Sequence, residues 1–193
     1  MTRREALQRV ALLMGGTLSA PVISAVLSGV RPAIGKAQWT PRSLSPEQNE
    51  LVTTLAELII PETDTPGAKA ARVNEFVDLL LTEWLPAEDK DRFMAGLDDL
   101  DTRFQQSYGK RFVEGTSAQQ TQMLTVLDGE AAEARRAKSK AQPFFGMMKE
   151  FTLTGYYTSE IGITQELLFQ PATDKFEGCI PLERVGRAWA ELW

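Results

Sequence analysis

Histidine is absent from the 193-residue chain. Its absence removes the commonest general base, the Ser-His-Asp and Cys-His nucleophile systems, and most zinc, haem and non-haem iron sites. Cysteine is nearly as scarce, since Cys179 stands alone. One thiol makes no internal disulfide, no iron–sulfur site and no CxxC redox pair. No glycine-rich phosphate loop follows a strand, no GxSxG or HExxH occurs, and no segment alternates strongly enough to read as a strand.

Charge is present but uneven. The first 37 residues hold Arg3, Arg4, Arg9, Arg31 and Lys36 against Glu5. The remainder, residues 38–193, has 16 basic and 25 acidic residues, a net charge of −9. An acidic body argues against nucleic acid and anionic headgroups as partners.

The N-terminal 37 residues read as an export segment. Arg3 and Arg4 precede an uncharged run from Val10 to Val30 that is rich in Gly, Ser and Ala. Paired arginines ahead of a weakly apolar stretch are the pattern of a twin-arginine signal. That route carries folded cargo across a bacterial inner membrane. An ordinary secretory signal and a retained anchor are the alternatives, and about 20 apolar residues suffice for a span. Gly15, Gly16, Ser19, Pro21 and Ser24 make the run weakly hydrophobic for an anchor. Small residues at Gly35 and Ala37 place a cleavage point after Ala37. The domains expected are therefore 1–37, a signal segment, and 38–193, a helical body of one-domain size.

The body reads as helices. Trp39–Leu44 is a linker with little periodicity. Ser45-Pro46-Glu47-Gln48 is a capping box with proline at the first helical position. Leu51, Val52, Leu55, Leu58 and Ile59 follow at helical spacing until Pro61. In the turn Pro61–Ala68, the prolines fix two φ angles and Gly67 permits a positive one. Glu62 and Asp64 there resemble a paired-carboxylate site, but a calcium loop needs more oxygen ligands at regular spacing.

Val73, Phe76, Val77, Leu80, Leu81 and Trp84 form a second stripe. The third helix runs from Ala87 to Tyr108 with Phe93, Leu97, Leu100 and Phe104 inward, and Gly109 ends it. Asp98, Asp99 and Asp101 read as a solvated face. Ser117–Gln120 is a second capping box, leading to Met123, Leu124, Val126 and Leu127. The charged region 128–140 is an exposed helix or a loose loop. Pro143 opens a fifth helix that buries Phe144, Met147, Met148 and Phe151. The expected fold is all-α: a single compact bundle of about five helices, preceded by a signal helix and followed by an irregular tail.

Three readings of function remain. Tyr156, Tyr157 and Glu160 sit beside hydroxyls, and an exported helical enzyme could use them for acid–base work. Otherwise the tyrosines present apolar rings and polar tips at a core edge. Phe169, Phe176, Ile180, Trp189, Leu192 and Trp193 are spread over a Gly- and Pro-punctuated tail. Such a tail is hard to bury internally and suits a partner surface, where aromatics anchor. An exported chaperone released after export fits the same features.

The leader, Ser45–Gln48, the Pro61-Glu62-Thr63-Asp64-Thr65-Pro66-Gly67-Ala68 turn, Phe144-Phe145 and Gly155-Tyr156-Tyr157-Thr158-Ser159-Glu160 together resemble the gluconate 2-dehydrogenase subunit 3 family. The likeness runs from about Leu44 to Ile180. It implies a non-catalytic small subunit with no cofactor of its own, in the periplasm and associated with the inner membrane through its complex. The implied partner is an FAD-dependent large subunit of the glucose–methanol–choline type, often carrying an iron–sulfur cluster. Its electrons pass to a membrane-associated cytochrome c subunit holding haem c. The large subunit commonly lacks a signal, so the small one carries it through the twin-arginine machinery. Pro61, Thr63, Asp64, Pro66, Gly67, Gly155, Tyr156, Tyr157, Ser159, Glu160 and Trp189 are the motif and interface positions this implies. Cys179, an unpaired thiol in a Gly- and Pro-flanked stretch, is either a disulfide partner for the large subunit or a free thiol.

Overall fold

The computed structural model describes residues 39–139, 141–169, 179, 181, 183 and 186–190. The expected signal segment, with Arg3 and Arg4, lies outside them, as do Phe176, Ile180, Leu192 and Trp193. Five α-helices form the body: α1 (Pro46–Ile59), α2 (Val73–Leu79), α3 (Ala87–Tyr108), α4 (Ser117–Arg136) and α5 (Phe144–Tyr157). A π-helical turn, Leu80–Trp84, prolongs α2, and another, Gly162–Glu166, follows α5. A 3-10 turn, Phe112–Glu114, leads from α3 to α4. Among the described residues the sole β pairing is an isolated parallel bridge between Leu168 and Trp189. None of their helices is long and apolar enough to cross a membrane.

α1 begins as its sequence dictates. Ser45 Oγ accepts from Gln48 N at 3.2 Å and Gln48 Oε1 accepts from Ser45 N at 3.0 Å, so both orphan donors are satisfied. Gly109 ends α3 at φ 70°, where its N–H reaches Gln105 O at 2.8 Å. α5 is the central element and packs against all four other helices. It buries Phe144, Met147, Met148 and Phe151 as its spacing predicts. Phe93 of α3 meets Phe144 edge-on at 5.1 Å and Phe151 at 5.8 Å. Each buried side chain of this size contributes about 1.5–3 kcal/mol from transfer alone.

Three local expectations are corrected, at the cap of α4, at Val126 and at Trp84. The cap of α4 is Thr116, one residue before Ser117, with Thr116 Oγ1 accepting from Gln119 N at 3.4 Å and Gln119 Oε1 accepting from Thr116 N at 3.0 Å. Thr116-x-x-Gln119 and Ser117-x-x-Gln120 overlap in sequence. The first prevails because buried Gln120 is needed inside, donating from Nε2 to Phe112 O at 2.8 Å. α4 then continues to Arg136, so of the two readings of 128–140 the helix holds for most of it. Val126 lies off the Met123–Leu124–Leu127 face and is exposed. Trp84 is 71% exposed. The π turn widens the coil by a residue per turn and swings Trp84 off the stripe that buries Val73, Val77 and Leu81.

The linker before α1 is fastened to the body, which its lack of periodicity does not reveal. Asp78 of α2 is 1% exposed, and its Oδ2 accepts from Arg42 N at 2.8 Å. Its Oδ1 accepts from Ser43 N at 2.9 Å and Leu44 N at 3.0 Å. Leu44 drops into the core beside this carboxylate.

Candidate functional site

The two motif segments meet. The Pro61–Ala68 turn leaves the end of α1, and Glu57, in the last turn of that helix, closes it. Glu57 Oε1 accepts from Glu62 N at 2.9 Å and Oε2 from Lys69 N at 2.8 Å. Ala68 N returns to Ile60 O at 2.9 Å. Gly67 is required here for space, not for the positive φ the turn chemistry predicts. A Cβ at Gly67 would lie 2.6 Å from Glu57 Oε2 and from Glu62 N.

Tyr156 comes from the last turn of α5 and is 1% exposed. Its hydroxyl donates to Pro66 O at 2.7 Å, joining residues 90 apart in sequence. Thr65 Oγ1 donates to Glu166 Oε2 at 2.5 Å, a second tie between the turn and the last residue of the second π turn. Gly155 admits Phe76 of α2, since a Cβ there would stand 2.7 Å from Phe76 Cδ1. Ser159 Oγ donates to Tyr156 O at 2.6 Å and accepts from Gly162 N at 3.0 Å, carrying the chain from α5 into its π turn.

The acid–base candidates do not converge. Burial pushes the Tyr156 hydroxyl above its ordinary pKa of 10.0, opposed by its contact with Thr65 and reinforced by the nearby Glu166 charge. Tyr157 meets Tyr156 ring edge to face at 5.3 Å but faces outward, 39% exposed. Glu160 is exposed one turn further on, and among the described residues no hydrogen bond links its carboxylate to either tyrosine. Glu62 and Asp64 are exposed, and Thr63 Oγ1 donates to Asp64 Oδ1 at 3.0 Å.

These contacts tie the two motif segments together. The family model described as gluconate 2-dehydrogenase subunit 3 matches residues 46–173, from the first residue of α1 to beyond the second π turn. The chain belongs to the gluconate 2-dehydrogenase subunit 3 family. No curated protein and no solved structure matches it. The family span takes in both motif segments, and with them the Tyr156–Pro66 and Thr65–Glu166 ties.

Beyond the second π turn this family member turns back on itself. Leu168 N donates to Ala188 O at 2.8 Å and Ala190 N to Leu168 O at 3.0 Å. Arg187 Nη1 donates to Gln165 O at 2.7 Å. The return leaves Phe169 and Trp189 exposed, and Cys179 is a free, exposed thiol. Leu153 and Tyr157, four residues apart on the outer face of α5, are exposed too. Sequence reasoning missed Glu57 and Asp78. Asp78 carried a signal, an acid within one turn of Val77 and Leu81 on a face that is otherwise apolar.

Proposed function

We propose that this chain is a non-catalytic small subunit of a heteromeric FAD-dependent sugar or sugar-acid dehydrogenase. It binds the flavoprotein large subunit, stabilises it by mass action, and carries it through the twin-arginine route on Arg3 and Arg4. The observation behind this reading is how the motif hydroxyls are used. Tyr156 gives its proton to Pro66 O and Ser159 gives its own to Tyr156 O, so both serve internal packing. Among the described residues, Leu153, Tyr157, Phe169 and Trp189 are left outside near the motif segments and the chain's return, and Leu79, Trp84 and Val126 are exposed elsewhere. Exposed aromatics of this kind anchor protein interfaces.

In this account the flavin, and any iron–sulfur cluster, belong to a large subunit of the glucose–methanol–choline type. A membrane-associated cytochrome c subunit receives the electrons on haem c. The complex works in the periplasm at the inner membrane. Cys179, free and exposed, forms a disulfide with that large subunit after export.

Affinity purification of the tagged full-length chain from native membranes tests the reading. A stoichiometric flavoprotein, visible by its flavin absorbance, is the expected companion. A chain that emerges alone and oxidises a sugar unaided would refute it. Non-reducing electrophoresis of the same preparation should show one combined band, and two separate bands would end the disulfide proposal.

A further inference from the structure

Basic residues are not spread evenly over the helical body. Residues 134–149 hold five of them and no acid, whereas the rest of residues 38–193 has 11 basic and 25 acidic residues. The acidic average therefore hides one basic corner, where α4 ends and α5 begins. Arg135, Arg136 and Lys138 are all exposed there.

The charges of this corner are also used differently. Arg42, Arg72, Arg92, Arg103 and Arg111 each pair with a carboxylate, and Lys149 pairs with Asp128. Among the described residues, no carboxylate pairs with Arg135, Arg136 or Lys138. The negative end of α4 accounts for two arginines in its last turn. It does not account for Lys138, which closes the helix in the left-handed region at φ 50°. Lys138 N donates to Arg135 O at 3.1 Å and Ser139 N to Ala134 O at 3.0 Å. Glycine fits such a position without steric cost. Lysine gives up stability there and keeps a charge at the tip.

A cavity of about 320 Å³ opens between the two helices at the same corner. Arg135 is the one charged residue in its lining, and Ala131, Ala134 and Gly146 leave it room. Gln142, also in the lining, donates from Nε2 to Glu150 Oε2 at 3.1 Å and so holds that acid. Protein interfaces gather aromatic rings and are poor in lysine. None of the aromatic rings exposed among the described residues lies between 131 and 146. Contact with anionic headgroups needs only clustered Lys and Arg.

We propose that this corner seats the chain on anionic lipid headgroups, with a headgroup phosphate in the cavity on Arg135 and neighbouring ones on Arg136 and Lys138. The acidic remainder is repelled from the same surface, so the chain approaches corner first. Where this happens rests on the membrane location proposed above; the binding itself does not.

Cosedimentation of the purified full-length chain with vesicles tests it. The vesicles are phosphatidylcholine alone, or phosphatidylcholine with one-third phosphatidylglycerol. Each basic residue at an anionic surface strengthens binding about fivefold, so Arg135→Gln with Arg136→Gln and Lys138→Gln should weaken binding to the anionic vesicles roughly a hundredfold. Lys138→Gly should weaken it about fivefold, while raising the thermal midpoint by about 2 °C as the left-handed strain is relieved. Weaker binding by a more stable chain cannot come from misfolding. Lys69→Gln, which removes an exposed charge at the motif turn, should leave binding unchanged. Residues 1–37 are the same in every chain, so their own contacts cancel in the comparison. Acetylation of Lys138 supplies a local readout and should slow on anionic vesicles but not on neutral ones. Equal binding by all variants, or unchanged Lys138 acetylation, overturns the proposal. So does inorganic phosphate that protects Lys138 as fully as vesicles do, which would mark a site for a free anion. Substitutions that spare vesicle binding but release a copurifying protein would overturn it in favour of an acidic protein partner. The subunit reading fails separately, by the absence of a flavoprotein on purification.

Discussion

Compare how the two edges of the helical body are fastened. At residues 42–44, three N–H groups share one buried carboxylate and a leucine side chain follows into the core. At residues 187–190, two backbone bonds and one arginine hold the returning chain among the described residues, and Trp189 stays 38% exposed. The first attachment centres on a buried carboxylate, with Leu44 buried beside it, where each bond counts and an unpaired acceptor is expensive. The second is made between residues that are partly or fully exposed, where water competes. One edge is built into the fold, whereas the other is placed on it, with apolar surface left for something else to cover.

The sharpest way to break this contrast is Asp78→Ala. Three donors lose their acceptor, one in a buried bond and two in part-buried ones, which should cost about 3 kcal/mol of folding stability. Chemical denaturation of the purified chain measures it. A loss below about 1 kcal/mol would mean that the N-terminal edge is no better fastened than the C-terminal one.

That latch also marks the boundary of what was legible in the sequence. Helices and their inward faces could be read because burial repeats at 3.6 residues: Phe93, Leu97, Leu100 and Phe104 all lie where their spacing puts them. Caps could be read because Ser45 and Gln48 act across three residues. Two kinds of feature escaped. Local ambiguity hid the start of α4, where overlapping boxes were decided by the need for Gln120 inside. Long-range pairings left no periodic trace: Asp78 to Arg42, Tyr156 to Pro66 and Thr65 to Glu166 are 36, 90 and 101 residues apart. The motif segments were visible as motifs, but their mutual contact was not. Gly67 was recognised as special for a conformational reason, when the actual reason is the carboxylate of Glu57 packed against it.

Gly67→Ala is accordingly the next test in size. The new methyl would press on Glu57 Oε2 and on Glu62 N, and the second is backbone that cannot swing aside. A cost of about 2 kcal/mol is expected from such overpacking. Thermal unfolding should show it, and Glu57→Ala combined with Gly67→Ala should recover part of the loss if the carboxylate is the obstacle.

Tyr156→Phe should cost less, about 1 kcal/mol, since one hydrogen bond to Pro66 O is removed while the ring stays packed. The pH dependence separates this bond from simple packing. Burial raises the folded pKa of Tyr156 above 10.0, while the unfolded hydroxyl titrates near that value. Between the two, the folded chain holds a proton the unfolded chain has released. Stability present below pH 10 is therefore lost as pH rises through the folded pKa. The unaltered chain should weaken more steeply than Tyr156→Phe in denaturation curves taken above pH 10. Parallel curves would show that the hydroxyl does not titrate differently in the fold.

The smallest effect on folding is expected at the other edge, and it carries the most about function. Arg187 donates to Gln165 O from an exposed position, so Arg187→Ala should shift folding stability by no more than about 0.5 kcal/mol. The same holds for Trp189→Ala, which removes a ring already in contact with water. If this edge is surface kept for a partner, each variant should fold as the unaltered chain does and yet retain less flavoprotein on purification from membranes. A truncated aromatic anchor typically costs about 2 kcal/mol of binding, roughly thirtyfold in affinity. A variant that folds normally and still holds its full complement of partner would show that the returning segment is decoration. In that case the docking surface would have to be sought among the other exposed apolar residues, beginning with Trp84 and Leu79 on α2 and its π turn.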